Sequence, residues 1–267
     1  MIFVRLIVAF ASVYIYNFVL DKLKDLPPVK WLPNNSMTGL ILNAIGIIMF
    51  FGVLLWPFYR EAKMRTSELK KIAIDMGFVF HDGKFQPVPS LLQSPLLRRG
   101  YRHSFGPAIT GNHAGVEILL FDHVYSDPGE SSDREDRRYF RTVVVFYAPE
   151  LDIPDFIMIT KSLGDRMAEA LAGSGNIDFK GDSKFSKHYS LSGPNQESVR
   201  ELFVPELRSA ITGSEKRWAA AGIDNKLMLF ADNERDEQLK PEKFVDYLEK
   251  TWEIFNVIRS KNRRGIK

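Results

Sequence analysis

Five histidines, clustered acids and serines, and no cysteine set the chemistry open to this chain of 267 residues. His103, His113 and His123 recur every ten residues, a spacing that matches no established set of metal ligands. If the TGNHAG segment is a hairpin tip centred on His113, residues whose numbers add to 226 face each other. His103 then faces His123, and Phe105 faces Phe121, next to Leu119. Two facing imidazoles are half of a zinc site, but a structural zinc takes four protein ligands and no third is in view. Pro107 also disturbs a strand register. The expectation is no metal, with His103 and His123 as the candidates and satisfied core histidines as the ordinary reading.

Other groupings weaken on inspection. Ser186, His188 and Ser190 share one face of an alternating stretch, but neighbours at i and i+2 lie about 7 Å apart, too far for an activated serine. No G-x-S-x-G elbow occurs. Glu150, Asp152 and Asp155 cluster in PELDIPDF, where paired carboxylates do acid–base work only if one is kept protonated by its surroundings. A proline-bounded acid cluster is ordinarily a solvated turn. AGSGN (172–176) lacks both the phosphate-loop and the dinucleotide glycine patterns and reads as the end of the helix before it. No catalytic residue and no cofactor is expected.

Composition narrows the classes further. Net charge is +3, and residues 60–267 carry only +1 of it, so no basic stripe points to nucleic acid. Without cysteine, disulfides, thiolate metal sites and thiol nucleophiles are excluded.

Two apolar stretches, 1–20 and 38–59, each approach the roughly 20 residues that cross a bilayer core. Three prolines in the connector turn the chain back, and Trp31, Trp56 and Tyr59 fall where interfacial aromatics sit. The expectation is a transmembrane helical hairpin over 1–59. Lys22, Lys24 and Lys30 in the connector face six basic residues on the other side, which favours both termini in the cytoplasm, at a bacterial inner membrane. Asn17 and Asn43 come to similar depth in such a hairpin and are expected to pair, with each other or with a second subunit. Arg60, Lys63 and Arg65 after the second span, with Arg259, Lys261, Arg263, Arg264 and Lys267 in the tail, are candidate contacts to anionic lipid headgroups.

After an exit helix over 60–76, a domain over 77–267 is expected. Strands are predicted at 78–80, 115–126, 139–148 and 155–160, and an alternating strand at 185–193. A loop over 127–138 is strongly charged. Asn195 caps a helix with the stripe Val199, Leu202, Phe203 and Leu207, and Pro205 kinks it or starts a second. Residues 217–231 form a hairpin about Asp224–Asn225. Pro241 opens a final helix with the stripe Phe244, Leu248, Trp252, Phe255 and Ile258. The predicted class is α+β, a mostly antiparallel sheet covered by helices.

The segments LFDHVY, TVVVFYAPELDIPDF and IDFKGDSKFSKHYSLSGPNQESVRELF, then a late LMLF hairpin and PEKFVDYLEKTWEIF, occur in that order. This arrangement resembles a group of uncharacterised bacterial membrane-anchored proteins with one soluble domain. The resemblance covers most of 77–258 and is most specific from F-S-x-x-Y-x-L-x-G to V-R-x-L-F. It implies a bacterial source and a shared fold, and it carries no activity. The functional expectation is a non-enzymatic, membrane-anchored cytoplasmic module that binds a protein partner or assists a membrane complex, its partner an unknown protein or a second copy of the chain. The alternative is a membrane-bound hydrolase or small-ligand sensor.

Overall fold

The computed structural model describes residues 36–127, 137–161, 175–179, 181–232 and 238–262. The chain divides into two compact units, Met1–Arg65 and Thr66–Lys267. In the first, the described residues form the N-terminal part of one long helix, α1 (Ser36–Asp75).

Among the described residues no helix is long and apolar enough to cross a membrane. That finding overturns the expected transmembrane hairpin, and with it the inner-membrane placement and the cytoplasmic orientation, which rest on the same spans. The apolar run 38–59 is not an element of its own. The helix continues through Pro57 into the charged stretch with Arg60, Glu61, Lys63 and Arg65 and ends at Asp75, so the expected exit helix is there as its continuation. The first expected span, 1–20, and Asn17 lie outside the described residues. Asn43 falls within α1.

In the second unit, eight strands form one antiparallel sheet: β1 (Val79–His81), β2 (Tyr101–His113), β3 (Val116–Asp127), β4 (Arg137–Tyr147), β5 (Phe156–Thr160), β6 (Tyr189–Ser192), β7 (Trp218–Ile223) and β8 (Lys226–Ala231). Their spatial order is β1-β2-β3-β4-β8-β7-β5-β6. The α+β class with an antiparallel sheet is as the sequence predicts. Near-continuous apolar runs in β3 and β4 fit their central place, since both faces of those strands are covered.

The last helix, α7 (Phe244–Asn262), follows a turn of 3-10 helix at Pro241–Lys243 and lies on one sheet face. Phe255 stacks on Phe146 of β4 at 4.6 Å, and both are fully buried. Removing such rings from water stabilises by about 1.5–3 kcal/mol each. The Tyr247 hydroxyl pins the same helix to the sheet, donating to the Thr142 carbonyl at 2.7 Å and accepting from the Ala231 amide at 2.9 Å. The opposite face is covered by a strap with two short helices, α2 (Pro89–Leu92) and α3 (Pro95–Arg98). These set Leu91, Leu96 and Leu97 on Phe121, Val143, Val145 and Phe230.

Residues 185–193 are not the expected strand. Asp182 caps a short helix, α4 (Ser183–His188), by accepting from the Phe185 amide at 3.0 Å, and only Tyr189–Ser192 are extended. The alternation of Phe185 and Tyr189 is also an i,i+4 spacing, and their rings stack at 5.2 Å on the helical side. The Asn195 cap appears as predicted, its side chain accepting from the Ser198 amide ahead of α5 (Gln196–Leu202), and Pro205 starts a separate helix, α6 (Pro205–Gly213). Asp224 and Asn225 turn β7 into β8 with φ of 50° and 59°, the paired left-handed conformation of a two-residue hairpin.

Candidate functional site

The histidine hairpin forms, but with its turn one residue and a half beyond His113. Ala114 and Gly115, with φ of 52° and 81°, are its two central residues, so near the turn opposed residues add to 229 rather than 226. Two irregularities in β2, between Phe105 and Ala108 and between Tyr101 and Ser104, then slip the pairing back. Phe105 therefore opposes His123, and Ala108 opposes Phe121. His103 stands in the second irregularity, and its Nδ1 still comes to 3.1 Å from His123 Nε2.

The rings around this pair form a ladder across three strands. Phe105 stacks on His123 at 4.8 Å, His123 on Tyr125 at 5.2 Å, and Tyr125 on Tyr139 at 5.1 Å. Two guanidinium groups join it. Arg141, the cross-strand partner of His123, lies over Tyr125 at 4.7 Å and over Phe230 at 4.6 Å. Arg99 lies over Tyr139 at 5.7 Å and forms an ion pair with Asp127. His123 and Tyr125 are fully buried, while His103 is exposed, so the ladder meets solvent at that end.

The network fixes the tautomers. His103 Nε2 donates to the Gly100 carbonyl at 3.2 Å, which leaves its Nδ1 to accept from His123 Nε2. His123 Nδ1 is then a bare acceptor, buried with no partner. Burial, aided by Arg141, pushes the His123 pKa down to about 3, so the ring is neutral at ordinary pH. Burial likewise raises the Tyr125 pKa and lowers that of Arg141. Among the described residues no group of three or more His, Cys, Asp or Glu side chains is placed to hold a metal ion. Two guanidinium groups beside the imidazole pair also disfavour a further cation there.

The remaining sequence candidates do not converge. Ser186 accepts from the Phe179 amide, and His188 Nδ1 donates to its own helix at the Lys184 carbonyl. Glu150 pairs with Arg259 at 3.2 Å, and Asp155 accepts from the Asp224 amide at the rim of a cleft of about 700 Å³. Arg259, a candidate lipid contact, also donates to the Ala114 carbonyl at the hairpin turn, and its side chain is only 12% exposed. Arg60 and Lys63 are exposed and Arg65 is half-buried, whereas Arg263, Arg264 and Lys267 lie outside the described residues.

A second feature went unnoticed in the sequence. Among the described residues strand β1 ends the sheet on one side, pairing through Val79–His81 with Thr110, Ile109 and Ala108 of β2 alone. On its helix side a groove of about 350 Å³ opens, lined by Met76, Phe78, His113, Ile118, Val245, Leu248, Glu249 and Trp252. Gly111 makes the groove's wall possible, because a Cβ there would sit 2.2 Å from the Phe78 ring. The Trp252 ring meets His113 edge-on at 5.0 Å. Val79 is 58% exposed and Val245 42%, both large apolar side chains left in water at this edge. The signals for the two features were an arginine inside an apolar strand (Arg141) and a three-residue strand with one phenylalanine just before it and one at its centre (Phe78, Phe80).

Compared with family models, curated proteins and solved structures, the chain matches none.

Proposed function

We propose that the chain is a non-enzymatic binding module that takes up an extended segment of a partner protein along β1. The observation that carries this reading is the β1 edge, unpaired on its outer side among the described residues, beside an apolar groove. A strand laid along β1 completes its backbone pairing, and every second side chain reaches the helix side, where the groove lies. Glu249 is the groove's one acid. The segment that fits has alternating apolar residues and a Lys or Arg to meet that carboxylate.

The test is selection of displayed peptides on the full chain, followed by affinity measurement on variants. Alternating apolar-basic peptides are expected, with binding at least about tenfold weaker (1.4 kcal/mol) in Val245→Glu. Val88→Glu, on the strap over the opposite face, should leave binding unchanged. Peptides indifferent to Val245→Glu would overturn the reading. So would concentration-dependent self-association abolished by that substitution, because a second copy would then be the occupant.

A further inference from the structure

The structure points to a second, independent site: we propose that Arg141, Tyr125 and His123 bind a phosphate group that keeps a P–OH, either free hydrogen phosphate or a phosphate monoester. Three polar groups short of partners lie on one sheet face: His123 and Tyr125 two residues apart on β3, and Arg141 opposite His123 on β4. Arg141 is 8% exposed, and its only hydrogen bond among the described residues is from Nη1 to the Leu96 carbonyl at 3.2 Å. The rest of its fork of donors is unused, and no carboxylate pairs with it there. The Tyr125 hydroxyl and His123 Nδ1 are buried with no partner. Buried polar groups without partners are uncommon in native proteins, and each costs about 1–3 kcal/mol unless something fills its place.

The residues' chemistry selects the ligand. Two acids lie within reach of Arg141: Asp127, whose partner is Arg99, and Asp232, which accepts from the Thr160 hydroxyl, and neither bonds to its guanidinium. Arg141 therefore keeps open donors on a guanidinium held between two aromatic faces, a setting for an oxyanion. A bare imidazole nitrogen repels a fully deprotonated oxyanion and accepts from a hydroxyl. Hydrogen phosphate offers both: oxygens for the Arg141 fork and the Tyr125 O–H, and a P–OH for His123 Nδ1. Sulfate has no proton to give at neutral pH and satisfies only half of the site.

The experiment is calorimetric titration of the full chain at about pH 6, where a phosphate monoester still carries its P–OH in about half of the molecules, with inorganic phosphate, glycerol 3-phosphate and sulfate, on wild type, Tyr125→Phe and Arg141→Lys. One of the two phosphates is expected to bind, and which of them binds more tightly tells free from esterified phosphate. Sulfate should bind at least about tenfold more weakly. Tyr125→Phe keeps the ring stack and removes only the orphan hydroxyl. Its melting temperature without ligand should be unchanged or higher, while its phosphate affinity falls about fivefold or more. Arg141→Lys should abolish binding, and Tyr125→Phe keeps the test decisive if that variant fails to fold. No phosphate binding by the wild type, equal affinity for sulfate, or phosphate binding indifferent to Tyr125→Phe would each overturn the assignment.

Discussion

At one end of the sheet the chain covers its own edge, and at the other it does not. Beyond β6, Ile177 donates its amide to the Leu191 carbonyl at 2.7 Å, and the Asn176 side chain accepts from the Leu191 amide at 3.1 Å. Beyond β1, among the described residues, no backbone bond reaches the outer side of Val79–His81. The packing differs in the same sense. Behind β6, Phe185, Tyr189 and Phe203 are buried and in ring contact. Beside β1, Val79 stays exposed on the strand itself, and Val245 stays exposed in the wall of the groove. Unpaired edges invite association, and proteins commonly cover or charge them. A fold that closes one edge with backbone and side-chain bonds and leaves apolar surface at the other has the asymmetry of a binding edge.

The largest expected effect comes from breaking the closed side. Phe185→Ala removes a ring that is 1% exposed and touches Phe179, Tyr189 and Phe203, and should cost about 3–5 kcal/mol in urea unfolding. Peptide binding at β1 should survive in the fraction that folds.

Acidification strikes the sheet between its two ends, at His123. The folded pKa of about 3 lies below the ordinary value of 6.5, so between these values the unfolded chain takes up a proton that the folded chain excludes. The stability held in the neutral ring is whole above about pH 6.5 and falls with pH by up to about 1.4 kcal/mol per unit until pH nears 3. Urea melts of wild type and His123→Gln at pH 7, 6 and 5 should show the extra slope in wild type alone.

The sheet's layout was largely legible in the sequence, and the reasons are local. Apolar β-branched runs gave β3 and β4, Asp224–Asn225 gave the β7–β8 turn, and the spacing of Phe244, Leu248, Phe255 and Ile258 gave the face of α7. Sequence reasoning failed where two periodicities fitted the same residues, as at Phe185 and Tyr189. It also failed at the hairpin, where a turn at Ala114–Gly115 and two bulges compounded into a different register. The approach of His103 to His123 was foreseen by the wrong pairing. The ladder and the groove were not legible, because each gathers residues far apart in the chain: Arg99, Tyr125 and Arg141 in one, Phe78, Ile118 and Trp252 in the other. The helix over 38–76 was legible, but its apolar run misled as a span, since no described helix is long and apolar enough to cross a membrane.

Smaller changes sharpen the contrast between the edges. Asn176→Ala leaves the Leu191 amide without its acceptor and should cost about 1–2 kcal/mol, since that part-buried bond closes the β6 side. Val79→Lys places a charge on an exposed edge residue, so its stability should change by no more than about 0.5 kcal/mol. The same substitution should nevertheless weaken peptide binding, because a lysine on an edge strand discourages the addition of another strand.

The claim that β1 is a receiving edge is tested most directly by amide hydrogen exchange on the full chain, with and without a selected peptide. In the free chain the outward amides of Val79–His81 should exchange quickly, while the Leu191 amide, bonded to Asn176, is protected. With peptide, new protection should appear in Val79–His81 and in the groove residues Val245–Trp252 and nowhere in β6. Protection confined to other elements, or none at β1 under saturating peptide, would contradict the account.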